Sequence, residues 1–516
     1  MDELNPFGRA FRNSLTNIAA AKQVFLGYNA KNECFHITDA GKFITGAYEQ
    51  LRNASENAEH HLLLQRAIRR FLKRFYLTNG DKIGDDSGIE LITELTLAGY
   101  IKNDSVPVKT VKLITKLITD YTETREAIKR KTSLTKLNVY TIDPLSVEIS
   151  EILNPRYEVA VITDLAYQYF ITNLRIKGYW EKKPVDYTTA LFVAIYSTIL
   201  RADEQGIRHE YLRRFNIKPG SADFLEQNQK VDALLKSATT DKLKKIVDRQ
   251  GSPFRILFQM VTSNQFDVSK LLLNRTAFLT NFEVAINTHC ESLNSSINRG
   301  VVRSIIFLII TKFILGIAVE VPYDYVVTGT IQWLPLIINL LFPPIYMFIL
   351  RFTMYMPDQA NTTALTAEVD RILFQTPSKL IVKPPRKFGL GYKLFYTFVI
   401  LAVFYGASVG LISLGFNWVQ IIIFFIFVSG ASFLGFRLNR LIRDVEIIAS
   451  HQNLITIIRD FLYMPFVIVG QWVTEKYQKI SIVSRLLDMF VELPLKSILR
   501  MIRQWTHFIS GEKDRM

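Results

Sequence analysis

The chain has 516 residues, 49 % of them apolar, and a net charge of +15, which leaves room for two or three domains. Its only cysteines, Cys34 and Cys290, are far apart and lack CxxC spacing, which argues against a disulfide scaffold or a cysteine zinc site. The positive excess splits almost evenly between residues 1–300 and 301–516. Spread so thinly over the first part, it does not make the dense basic stripe of a nucleic-acid surface.

The opening MDELNPFGRAFRN carries two early acids, and no apolar block follows a basic start. No signal or transit peptide is expected, so the N-terminal region should stay on the side where the chain is made. Lone thiols fit the same reducing compartment.

Residues 1–298 read as an all-α cytosolic domain. Helical spacing of apolar residues covers 11–25, then a long pattern leads from His36 to about Leu77. Its last part, HHLLLQRAIRRFLKRFYL, sets Leu62, Ile68 and Leu72 against Arg66, Arg69, Arg70, Lys73 and Arg74; the basic side reads as a solvated helix face. Further helices are predicted at 87–100, 108–133, 157–177, 187–205, 221–237 and 240–249, separated by breakers such as Asn154-Pro155 and Pro219-Gly220. Leu137–Ile142, LNVYTI, is the single strand-like run. From Val268 a helical pattern runs almost into the first apolar segment, with a hinge expected over Asn294–Gly300.

Four apolar runs then occupy residues 299–437, with spans at about 303–320, 331–350, 394–415 and 418–436. Each approaches the ~20 residues a helix needs to cross a ~30 Å hydrocarbon core. The connectors within each pair hold no Lys or Arg, only Glu320 and Asp324. Basic residues collect at Arg299 and Arg303, over the loop 351–393, and at Arg437, Arg440 and Arg443. Cytoplasmic loops concentrate Lys and Arg, so two hairpins in a cell (plasma or inner) membrane with both termini cytoplasmic are expected.

Residues 438–516 read as a cytosolic or interfacial amphipathic tail. Segment 454–473 is interrupted by Arg459, Asp460 and Pro465, and a crossing there would export the basic residues that follow. A re-entrant or interfacial segment is therefore predicted. Beyond it, Lys496, Arg500 and Arg503 alternate with apolar residues, a pattern suited to anionic headgroups.

Few residues carry candidate chemistry. Lys312 stands near the middle of the first span, where a cation is costly and suggests a site. Its expected partners are the Asn339 side chain and carbonyls freed by Pro343 and Pro344, with no carboxylate seen inside the spans. Gly406 and Gly410 form a GxxxG, and Ala431 and Gly435 give the fourth span a small face; both are expected to serve helix packing within the chain or between copies. The other histidines are scattered singly, His60-His61 point to different helix faces, and HExxH, P-loop, GxGxxG and GxSxG motifs are absent. No catalytic residue, metal or cofactor is expected. The reading is a non-enzymatic membrane tether, scaffold or assembly factor that binds another protein through its cytosolic domain, with homo-oligomerisation open. The competing reading is a transporter or channel subunit built around Lys312 and the proline-broken second span.

Overall fold

The computed structural model describes residues 4–31, 33–37, 60–79, 86–176, 186–263, 267–376, 379–382, 389–447 and 454–479. The described residues are 81 % helical with almost no strand, as the hydrophobic periodicity requires. The long pattern expected from His36 lies outside the described residues until His60.

The helices of the N-terminal platform are α1 (Pro6–Lys31), α2 (His60–Asn79), α3 (Ser87–Leu97), α4 (Val108–Lys129), α5 (Leu134–Leu153) and α6 (Tyr157–Asn173). They continue with α7 (Tyr187–Thr198), α8 (Glu204–Arg214), α9 (Phe224–Leu235), α10 (Ala238–Gln250), α11 (Ser252–Thr262) and the one-turn α12 (Val268–Leu271). Breakers end them largely where the sequence places them, although the predicted 187–205 element stops at Thr198, before the turn that starts α8.

Leu137–Ile142 is not a strand. It lies in α5, where the Ser133 hydroxyl caps the helix by accepting from the Lys136 amide. Leu137, Tyr140, Thr141 and Leu145 then share a buried face. Packing along that face overrides the β-propensity of its valine, tyrosine and threonine. The strands are elsewhere: β1 (Leu174–Ile176) pairs in parallel with β2 (Leu380–Val382). Three residues each, from distant parts of the chain, leave no local pattern to read.

That pairing shows how the chain divides the labour. The inter-hairpin loop is no bare connector: α16 (Gln359–Leu373) runs through it, capped by Asp358. Its Leu365, Val369, Ile372 and Leu373 join the platform core beside Phe278 and Phe282, as does Val445 from beyond the last predicted span. The Asn5 amide donates to the carbonyls of Ile372 (2.9 Å) and Gln375 (2.7 Å). Arg275 grips Asp370 with two hydrogen bonds of 2.7 Å. Asn361 donates to Val445 O (3.1 Å) and accepts from Ile447 N (2.8 Å).

The link to the membrane helices is α13 (Arg275–Leu315), 41 residues long, roughly 60 Å of uninterrupted helix. It continues through a π-helical turn, Gly316–Glu320, into α14 (Val321–Thr328), so the expected first connector is itself helical. The expected hinge is clamped instead. Arg351 donates to Asn298 Oδ1 (2.7 Å) and Asn294 Oδ1 (2.6 Å), and a Cβ on Gly300 would come within 2.9 Å of Leu438. A glycine there serves close helix approach rather than bending.

α13–α14, α15 (Trp333–Phe352), α17 (Leu390–Ser413) and α18 (Trp418–Arg443) are long and apolar enough to cross a membrane. α18 is the most enclosed and α17 the least. The exposed Ile306, Phe307, Ile310, Phe313 and Ile314 make a continuous apolar stripe, the surface a helix offers to lipid. The segment expected to be re-entrant or interfacial is α19 (Leu454–Lys479), a 26-residue helix that continues through Pro465. It runs antiparallel along α18: the Tyr463 hydroxyl donates to Ser432 O (2.8 Å), and farther on Gly470 presses on the Ser429 backbone.

Candidate functional site: a polar cluster buried among the membrane helices

Lys312 is 2 % exposed, and its Nζ lies 3.0 Å from Glu320 Oε1, itself on a side chain 1 % exposed. The carboxylate that the spans seemed to lack is thus eight residues along the same helix. In a straight α-helix, eight residues overshoot two turns by about 80°. The π-turn ending at Glu320 widens the helix by one residue per hydrogen bond and rotates the carboxylate back beneath the ammonium. The Lys312 ammonium also lies 4.7 Å from the centre of the Phe427 ring on α18, a cation–π contact.

Asn339 joins the cluster through Glu320, not through Lys312 directly. Its amide donates to Glu320 Oε2 (2.9 Å) and to Gln420 O (3.3 Å). Pro343 and Pro344 are buried within α15, which stays helical through both. Pro343 lacks the N–H that would bond the Asn339 carbonyl, since that carbonyl is four residues earlier. Lys312 does not take the freed carbonyl; its hydrogen bond goes to Glu320.

A second carboxylate, Asp324 on α14, is fully buried. It accepts from Gln420 Nε2 (2.9 Å to Oδ2), Asn417 Nδ2 (2.6 Å) and the Gln332 amide (3.4 Å). Asn417 and Gln420 also cap α18 reciprocally, so one pair of amides starts the fourth span and ties it to the first. Lys312, Glu320, Asp324, Asn339 and Gln420 thereby join three membrane helices through side chains. Buried Asn339 Oδ1 and Gln332 Oε1 have no hydrogen-bond partner among the described residues. Sequence reading missed Glu320 and Asp324 because both lay in an apparent connector. The detectable signal was the acid eight residues after a mid-span lysine.

The small-residue positions divide. Ala431 is fully buried, and a Cβ on Gly435 would meet Leu350 at 2.9 Å, so this face of α18 receives α15. Gly406 and Gly410 on α17 face open space, with nothing within 4 Å of an added Cβ. The third span instead meets its neighbours through Phe404, whose ring lies 4.9 Å from Phe425 and 5.0 Å from Phe466.

Arg437, Arg440 and Arg443 are exposed at the platform end of α18; Lys496, Arg500 and Arg503 lie outside the described residues. The basic face of α2 is largely used inside the platform: Arg69 pairs with Asp143, Arg74 with Glu94, and Arg70 donates to the Tyr100 hydroxyl. It is not a bare solvated stripe. Compared with known proteins, the chain matches no family model, no curated protein and no solved structure.

Proposed function

We propose that this chain is a non-enzymatic integral membrane scaffold, whose helical platform presents a fixed surface to a soluble partner at the cytoplasmic face of a cell membrane. The supporting observation is the shared construction of platform and membrane helices. Segments that flank the spans, α16 and Asp444–Ile447, are built into the platform core and its hydrogen bonds. A flexible leash would suffice for simple anchoring; three separate attachments fix orientation. The basic residues at the platform end, Arg303, Arg351, Arg437, Arg440 and Arg443, support cytoplasmic placement and contact with anionic headgroups.

Cross-linking in native membranes followed by capture of the chain tests this. A soluble protein recovered at constant ratio to the chain is the expected result. Recovery of the chain alone, or only with other membrane proteins, would overturn it.

A transporter or channel subunit is the second reading, supported by a buried ammonium–carboxylate pair set at a π-turn. Intramembrane ionisable groups commonly mark transport pathways, and π-turns recur at functional sites. Purified chain in proteoliposomes distinguishes the two. Proton or cation flux that Lys312→Met abolishes would replace the scaffold with this alternative.

A further inference from the structure

The polar network of the membrane helices leaves unexplained a cluster on the platform. Glu151 closes α5, and His209 and Glu210 follow one another on α8. One ligand-capable atom from each lies within 4.8 Å of the other two. His209 and Glu210 side chains are 7 % and 8 % exposed, while Glu151 keeps 35 %. All three line a cleft of about 760 Å³ between α1, α5, α6 and α8. His209 is one of the histidines scattered singly along the sequence, and nothing local places Glu151 beside it.

We propose that Glu151, His209 and Glu210 bind a divalent transition metal, zinc or manganese in type, with an open coordination position facing the cleft. His209 Nε2 and Glu151 Oε2 stand 3.4 Å apart. That is long for a hydrogen bond, but it is about the edge of a tetrahedral shell with bonds of about 2.1 Å. One imidazole and two carboxylates suit zinc, manganese or ferrous iron; calcium and magnesium prefer all-oxygen sites, and there is no thiolate to select softer ions. The charge around the cluster accommodates a cation: Glu148 and Glu151 from α5 and Glu210 from α8 face His209, with Arg213 and Arg156 as the facing cations. Arg213 bridges Glu210 (2.7 Å) and Glu151 (3.6 Å) in the structure. Its side chain is 51 % exposed, so it can swing outward as a metal takes its place. Arg213 is therefore the competitor for the site, and its removal separates a metal centre, which would then bind more tightly, from a static ion-pair cluster. The proposal is independent of the scaffold reading.

Full-length protein, purified in detergent and stripped with chelator, is titrated with cobalt(II) and zinc chloride. One metal per chain is expected, with the visible bands of low-coordinate cobalt and displacement of cobalt by zinc. Glu151→Gln and His209→Gln should each weaken binding at least tenfold, whereas Arg213→Gln should strengthen it several-fold. Circular dichroism melts establish that each variant is folded. Should His209→Gln destabilise the platform, the half-exposed Glu151 and Arg213 variants decide the matter. Binding below one equivalent, or binding unchanged by Glu151→Gln and by Arg213→Gln, overturns the site.

Discussion

Lys312 and Glu320 show what a charge pair costs and does when water is absent. Each ion alone would be stranded in an apolar interior, so removing one partner is far worse than removing both. Lys312→Met should lower stability by about 3–5 kcal/mol, and Lys312→Met with Glu320→Gln by much less. Thermal unfolding in micelles measures this, and equal losses in the single and double variants would refute the pairing. Asp370 offers a pH test outside the membrane helices. Burial raises its pKa, but hydrogen bonds from Arg275 and Gln375 outweigh burial and hold it below the ordinary carboxylate value. The unfolded chain then takes up this proton first as the pH falls. The Arg275–Asp370 tie therefore stabilises the fold above about pH 4 and is lost as pH drops through the folded pKa. In Asp370→Asn the acid-side fall in melting temperature should be shallower than in the native chain.

Among the elements, α19 is held closely along α18. Its 26 residues extend about 39 Å, more than the hydrocarbon core. Antiparallel packing on α18 directs its end away from Arg443 and the platform. Glycine positions test the same packing. A Cβ at Gly470 would come 2.1 Å from Ser429 O, so Gly470→Leu should cost at least about 1–3 kcal/mol. Gly406→Leu, facing open space, should leave the melting temperature unchanged.

At the scale of the whole molecule, the platform and membrane helices are joined by α13, by α16 and by Asp444–Ile447. Ser252 Oγ and Arg255 each donate to Asp444 O at 2.9 Å, and Asn361 holds Val445 and Ile447. Asn361→Ala removes the partner of the Val445 carbonyl, in a buried hydrogen bond, and of the Ile447 amide, in a part-buried one, a loss of about 1–3 kcal/mol each at most. Faster amide hydrogen exchange at 444–447 and in α16 is the expected readout, with the spans unaffected.

Read alone, the sequence determined the helical class, the four apolar runs and the unusual status of Lys312. Each rests on local information: a 3.6-residue period, a run length set by bilayer thickness, or one charge in an apolar window. Tertiary structure decided everything that depends on distant residues meeting. It made a helix of LNVYTI, paired Leu174–Ile176 with Leu380–Val382, and folded an apparent loop into the platform core. It also turned Glu320 back toward Lys312 through a change in helical pitch, and gathered Glu151 with His209 and Glu210. Apart from Lys312 and Glu320, which share one helix, the physical reason is common: burial against a partner distant in sequence outweighs local propensity, and no single stretch of sequence records which partner that is.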